Sequence, residues 1–486
     1  MSATANVCTR TVADDLCAGC GVCAGICPSG NLVMAWNERG EYQPVAQGRC
    51  RDQCNLCLQV CPFQDHDENE STLSSARFGA NEGICHRPEI GYCVSSYVGH
   101  VAEGDFRQRG ASGGVATWLL VELLARDMAD RVATVVPSAN PERLFTFALL
   151  SKPCEVRTAA KSRYYPVELS AIIQEVLSEE GRYAVAGVPC ALKAVSLAMG
   201  VDGRLRKRVK FLVGLACGQM KSRAFTEYLV RLLGLSPTDV RAVDFRGKQP
   251  SGPATDFVFR VDDGGSVRSL ARSGEYGRAW TTGQFKLRSC TFCDDMFTEV
   301  ADVAVMDAWL PPYMYDSRGT SIALVRSNLV DRIIRNGVTE GRLALSRISV
   351  DQVLASQRST LYTKRELLAQ RLWLSERDGL PHPRTRVLAV RPSWRQASLR
   401  RAEEAVRLSS HVAMREQRAV TAGGLGIYDS WMAPVLRRFR AMQLINNPRG
   451  GVRALAGRGA QLLRRRRGTA ELPGEMDPAS GEEGKA

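Results

Sequence analysis

Two stretches decide how this chain is read: Cys17-Ala-Gly-Cys20-Gly-Val-Cys23-Ala-Gly-Ile-Cys27-Pro28 and Cys50-Arg-Asp-Gln-Cys54-Asn-Leu-Cys57-Leu-Gln-Val-Cys61-Pro62. The first follows C-x2-C-x2-C-x3-C-P. The second repeats it with one extra residue in its first gap. Three closely spaced thiolates cap one iron–sulfide cube, and the fourth ligand comes from the other run. That rule predicts one [4Fe–4S] cluster on Cys17, Cys20, Cys23 and Cys61, and a second on Cys50, Cys54, Cys57 and Cys27. The proline after each last cysteine ends the helical turn that carries it. Two other readings stand beside this one. Structural zinc also takes four thiolates, but as separated C-x2-C pairs. Disulfides need an oxidising compartment. Met1 to Leu16 has no apolar core of a signal peptide and carries Asp14 and Asp15, so the expected location is cytoplasmic.

Working outward, residues 1–66 read as a ferredoxin-like two-cluster domain. A polar stretch from Gln64 to Ser71 follows, and 67–90 reads as a linker. From about Gly91 short β-rich runs alternate with helical ones. Cys93–Ala102, Arg131–Pro137, Leu144–Leu150, Tyr183–Gly187, Val209–Leu215, Phe257–Val261 and Val303–Met306 are strand-like. Val115–Met128, Leu169–Glu180, Ala191–Met199 and Arg223–Leu233 are helical. The alternation predicts an α/β or α+β class, with a central mixed α/β domain over 91–345. Beyond about Val350 the strands end. A helical basic extension is predicted over 346–467, broken by Pro434, Asn446-Asn447-Pro448 and Gly450-Gly451, and a disordered tail over 468–486.

The chain has 486 residues, 44% hydrophobic and 24% charged, as in an ordinary globular protein. Its formal charge of +14 is uneven: Trp431 to Arg467 holds ten arginines and no acid, whereas Gly468 to Ala486 holds five acids and one lysine. The excess is a C-terminal feature, and no nucleic-acid motif accompanies it. Trp431, Leu436, Phe439, Met442, Leu444 and Ile445 interleave with Arg437, Arg438, Arg440 and Arg464–Arg467, which suits an anionic membrane surface or an acidic partner protein. No apolar run approaches the ~18 residues of a membrane span.

Four more cysteines lie on turns of the α/β region. Cys190 is in Gly187-Val-Pro-Cys190, Cys217 in Gly214-Leu-Ala-Cys217-Gly218, and Cys290 and Cys293 form a C-x2-C pair. One pair and two singles at strand ends are able to meet on a third cluster; buried inert thiols are the plain alternative. Cys8, Cys85, Cys93 and Cys154 lack such context. The loop Gly110-Ala111-Ser112-Gly113-Gly114 before a helix suits a phosphate, or Ser112 caps that helix. Of the five histidines, His100 lies nearest this loop in sequence and reads as structural; no general acid or base is assigned.

These segments together resemble the beta-subunit family of coenzyme F-420-reducing hydrogenase and formate dehydrogenase, which includes 7-hydroxymethyl chlorophyll a reductase. Gly110–Gly114, Ser162-Arg-Tyr164, Gly187–Cys190, Asp244-Phe-Arg-Gly-Lys248, Cys290-Thr-Phe-Cys293 and Ala301-Asp-Val-Ala-Val-Met-Asp-Ala-Trp309 carry the resemblance, in order, over about residues 15 to 330. It implies FAD held partly by Gly110, Ala111, Ser112, Gly113 and Gly114. It implies Lys161 and Arg163 for the phosphates, Ser162 in the same cofactor site, Asp307 and Trp309 beside the flavin, and a third [4Fe–4S] cluster on Cys190, Cys217, Cys290 and Cys293. Met306 departs from the glycine of the family's frequent Gly-Asp-Ala-Trp, and Ala191 from the glutamine that often follows the G-x-P-C cysteine. The expected activity is an FAD-dependent iron–sulfur oxidoreductase, with hydride transfer to or from a deazaflavin or an unsaturated organic substrate. A redox partner protein, either a ferredoxin or a larger complex, is expected. A non-catalytic electron-transfer subunit is the other reading.

Overall fold

The computed structural model describes residues 5–140, 142–420 and 424–447. The N-terminal cysteine runs flank a hairpin of β1 (Leu32–Trp36) and β2 (Tyr42–Ala46), each run carrying one short helix, Val22–Gly25 and Leu56–Gln59. This unit is fused to the body. Leu169 N donates to Cys20 O at 2.9 Å. Gly25 packs so closely that a Cβ there would lie 2.7 Å from Ser170 O. Val22, Ala24 and Val60 share one core with Ile173, Leu192 and Leu212.

The stretch read as a linker holds ordered elements. Helix Glu70–Phe78 opens with a capping box, Asn69 accepting from Ser71 N and Thr72 N. A small hairpin follows, β3 (Cys85–Arg87) with β4 (Gly91–Cys93). The polar composition that suggests a linker is that of a helix cap and a solvated helix face.

The body is an eight-stranded mixed sheet. Its strands are β5 (Ser95–Val101), β6 (Arg131–Pro137), β7 (Phe145–Leu150), β8 (Tyr183–Gly187), β9 (Val209–Leu215), β13 (Val303–Asp307), β14 (Ser321–Val325) and β15 (Leu343–Arg347). They lie in the order β15-β5-β14-β13-β9-β8-β6-β7. β13, β9, β8 and β6 are parallel. β5 runs with them because both β5 and β13 are antiparallel to β14. Five strands therefore end on one edge, where ligands of open α/β sheets bind. A second sheet, β10 (Ala242–Gly247), β11 (Val258–Asp262) and β12 (Val267–Ala271), is antiparallel.

Apolar strands such as Tyr-Ala-Val-Ala-Gly of β8 are buried throughout because helices cover both faces of the sheet. Helix Val115–Ala125 is apolar almost all round, with Trp118, Leu119 and Leu123 fully buried. After β15 the chain is helical among the described residues: Val350–Lys364, Glu366–Arg377, Trp394–Ala419 and Gly426–Asn446. The predicted break at Pro434 is corrected. Helix Gly426–Asn446 runs through it, held by Tyr428, Met432 and Phe439 packed into a core shared with Ala402, Val406 and Met414 of helix Trp394–Ala419. Packing outweighs the lost N–H here. Phe439 is thus inside, whereas Trp431, Leu444 and Ile445 are exposed; Arg464–Arg467 and the expected tail lie outside the described residues. No helix among the described residues is long and apolar enough to cross a membrane.

Candidate functional site

All sixteen cysteines are unpaired thiols, and eleven of them gather in three groups, with Cys27 near the second. Cys17, Cys20, Cys23 and Cys61 line one small cavity. Burial, then the neighbouring Cys61, pushes the Cys20 thiol up to about 12. Cys23 is raised by burial and by Cys20, Cys61 and Cys17. Cys61, from the other run, thus lies with the first three thiols. In the second group burial, with Cys50 and Cys54 adding, brings Cys57 up to about 11. Cys27 meets Ser29 Oγ at 3.5 Å. Arg51 Nη2 donates to Pro28 O at 3.0 Å and so ties the Cys27 corner to the second run.

The third group comes from two strand ends and a loop. Cys190 follows β8, Cys217 follows β9, and Cys290 and Cys293 lie on the loop before β13. Cys190 is raised by burial and then by Cys293, Cys290 and Cys217. Cys217 is pushed up to about 12 by burial, against the pull of Lys364. Met220 N donates to Cys290 Sγ at 3.2 Å. The groups also follow an order. Ser289 Oγ, next to Cys290, donates to Cys17 O at 3.4 Å, and Cys57 and Cys61 follow one another on the second run, so the Cys17 group adjoins both the Cys50 group and the strand-end group.

This donor set fits iron–sulfur clusters. Burial makes thiolates costly unless a strongly bound cation offsets the charge, and the thiols of the Cys17 group and of the strand-end group are buried beside one another. Among the described residues no three or more His, Cys, Asp or Glu side chains close to the dimensions of a single-ion site.

On the same sheet edge the glycine loop leads from β5 into helix Val115–Ala125. Its close approaches are to the chain's own backbone. A Cβ on Gly113 would lie 2.6 Å from Gly99 O and 2.8 Å from Ser321 N. Gly113 N donates to Ser321 Oγ at 2.9 Å. Gly114 has φ +85, and a Cβ there would meet Phe106 O at 2.7 Å. Ser112 Oγ donates to Thr320 O at 2.8 Å, and the N-cap of the helix is Gly114, with no side chain accepting from its first N–H groups. Positive charge gathers beside Ala111 and Ser112. Lys248 Nζ donates to Ser112 O at 2.9 Å and to Arg107 O. Burial, followed by Lys161, Arg107 and Arg246, lowers Lys248 to about 7.

Lys161 takes φ +120, unusual for a non-glycine residue, and its Nζ meets Asp244 at 2.9 Å. Ser162 follows it. Arg163 lies over the Phe145 ring at 4.8 Å, and its buried Nε has no acceptor. Lys161 and Arg163 line a cavity of about 660 Å³ together with Arg109, Arg143, Arg157 and Arg241. Asp105 holds Arg109 and Arg157, and Asp244 holds Lys161; the excess of cations around this open cleft still fits the phosphates of an anionic cofactor.

Asp307, at the end of β13, pairs with buried Arg246 at 2.7 Å, and Arg246 lies 5.9 Å over Trp309. Two side chains beyond the sheet hold this turn: Gln357 Nε2 donates to Asp307 O at 2.7 Å, and Ser356 Oγ accepts from Trp309 N at 2.8 Å. The same helix, Val350–Lys364, ends on Lys364, whose Nζ reaches Cys293 Sγ at 2.9 Å. Arg246 and Lys248 lie inside the Asp244–Lys248 motif, but the motif alone does not reveal what they hold. Lys364 has no local signal in a polar helix.

Similarity to known proteins points to one family. The family model "Coenzyme F420 hydrogenase/dehydrogenase, beta subunit N-term" matches residues 96–174, and its C-terminal counterpart matches residues 180–351. One subunit of an F(420)H(2) dehydrogenase from Methanosarcina mazei is 23% identical over 216 residues, 43% of this chain and 55% of that one. The chain thus spans about half the length of this relative. An uncharacterised protein of Methanocaldococcus jannaschii is 21% identical over 351 residues, 67% of this chain and 87% of its own. An uncharacterised ferredoxin of the same organism is 37% identical over 46 residues, 10% of this chain and 58% of its own. A chain of the F420-reducing [NiFe] hydrogenase complex from Methanosarcina barkeri overlies 60% of this chain and 96% of itself, at 17% identity and a TM-score of 0.47. The two family models together cover half of the sequence, and the chain belongs to the coenzyme F420 hydrogenase/dehydrogenase beta-subunit family.

Proposed function

We propose that the protein is an iron–sulfur flavoprotein oxidoreductase that passes electrons between three [4Fe–4S] clusters and FAD and moves a hydride to or from a deazaflavin or an unsaturated organic substrate. One observation carries the reading: the strand-end cysteine group shares the sheet edge with the glycine loop, Lys248 and the Asp307–Arg246 pair. Flavin is the group that exchanges single electrons with clusters and hydrides with organic molecules.

The chain's own residues have separable tasks. The cysteine groups, in the order Cys50 group, Cys17 group, strand-end group, form a relay from the outer unit to the sheet edge. Lys161 and Arg163 at the cleft, and Lys248 beside Ser112, would hold negative charge. Arg246 fixes the Asp307 carboxylate and covers Trp309, which keeps this wall of the site rigid. Ser356 and Gln357 lock the turn from behind.

The relatives' printed names, a dehydrogenase subunit and a hydrogenase complex, favour work within a larger assembly. Turnover by the isolated chain separates an enzyme from a relay. The anaerobically prepared protein is mixed with a low-potential reductant and oxidised coenzyme F420, whose absorbance is followed, with benzyl viologen in parallel. Bleaching of the deazaflavin supports the hydride assignment. Reduction of the dye alone, across a panel of organic acceptors, leaves a relay subunit.

A further inference from the structure

The helices Val350–Lys364, Glu366–Arg377 and Trp394–Ala419 close a second cavity, of about 340 Å³, against the strand-end cysteine loops. Gly218 and Gln219, just after Cys217, line it, as do Thr291 and Phe292 between Cys290 and Cys293. Ser112, Lys161, Lys248 and Asp307 do not, so it is separate from the cleft described above.

Its charge is one-sided. Lys286, Arg288, Arg371, Arg400, Arg401 and Arg407 face Asp378, Glu403 and Glu404. Arg400 and Arg407 lie seven residues apart on one helix face, 7% and 2% exposed. Arg400 pairs with Glu403 through Nη2 at 3.0 Å, while its Nε and Nη1 have no acceptor. Arg407 commits Nε and Nη2 to Glu404, at 2.9 and 2.7 Å, and its Nη1 has no acceptor. Buried guanidinium N–H groups without partners are costly, and they suit a carboxylate or phosphate, which accepts such donors in pairs. The remaining wall sets Trp280, Phe292 and Leu374 among serine and threonine side chains.

We propose that this cavity is a second ligand site. It takes an organic anion whose carboxylate or phosphate head meets Arg400 and Arg407 and whose flat apolar body lies against Trp280 and Phe292. The proposal goes beyond the redox reading, because binding here does not depend on what the clusters or the flavin do.

The test is calorimetric titration of the full, cofactor-loaded chain with 2-naphthoate, 2-naphthyl phosphate and the neutral 2-naphthylmethanol. The expected result is binding of at least one anion, at least tenfold tighter than the alcohol. Arg400→Gln should weaken the anion by tenfold or more with iron and flavin content unchanged. Ser359→Trp, on the exposed lip of the cavity, should block every probe and serves if Arg400→Gln fails to fold. The site does not exist as described if the alcohol binds as tightly as the anions. It is equally overturned if neither anion binds, or if both variants bind like the parent chain.

Discussion

Lys364 Nζ, at the end of helix Val350–Lys364, donates to Cys293 Sγ at 2.9 Å and to Asp295 O at 2.9 Å, with its side chain buried. A positive donor on a cluster thiolate favours the reduced, more negative state and raises the reduction potential. Lys364→Met should therefore lower the potential of the strand-end cluster, by on the order of 50 mV for the loss of one charge-assisted hydrogen bond. Redox titration followed by electron paramagnetic resonance reads the change, and the two N-terminal clusters should keep their potentials.

Lys248 gives a pH prediction. In the free protein its pKa is lowered to about 7, by burial first and then by Lys161, Arg107 and Arg246. A bound phosphate group favours the charged amine and raises that value. Binding then takes up a proton between about pH 7 and the ordinary lysine range near 10, and FAD affinity falls as pH rises through that window. For the free protein the sign is opposite. The unfolded chain binds more protons over the same window, so this residue's contribution to folding rises with pH. Calorimetry at pH 8 in buffers of different ionisation heat should show proton uptake for the parent chain and none for Lys248→Met.

Gly113→Val acts on the fold before it acts on any cofactor. The new side chain meets Gly99 O and Ser321 N at the junction of β5 and β14. The expected loss is about 1–3 kcal/mol, as for overpacking of a filled site. Urea titration of the apo form should show it, where a loop that only cradles phosphate would show no change in midpoint.

Much of this is legible locally. The cysteine spacing at 17–61 is a local code, so both ligand groups can be read without a fold. Strands such as Arg131–Pro137, Tyr183–Gly187 and Val209–Leu215 match their apolar runs to the residue. The rest depends on partners distant in sequence. β15, Leu-Ala-Leu-Ser-Arg at the sheet edge, is half-exposed and short, so its pattern resembles a loop. Pro434 ends a helix by rule, yet the helix continues because Tyr428, Met432 and Phe439 anchor it from both sides. The glycine loop is recognisable as a motif, but the need for glycine at 113 and 114 comes from Gly99, Ser321 and Phe106. Lys364, Arg400 and Arg407 draw their meaning from cysteine loops and cavities that helical periodicity does not reveal.

The N-terminal groups are separable from the strand-end group. Cys20→Ser removes a ligand on the near side of the relay, beside Cys190. It should stop reduction of the flavin by an external one-electron donor while flavin occupancy stays at the parent level. Stopped-flow absorbance of the flavin band measures this, with an expected drop of at least a hundredfold in rate.

Cofactor content tests the central claim most directly. Anaerobically prepared protein should hold about twelve iron and twelve acid-labile sulfide atoms per chain, as three four-iron clusters require, with one FAD. Cys190→Ala should lose about four of the irons. Stoichiometric zinc, or about eight irons unchanged in Cys190→Ala, would contradict the three-cluster account.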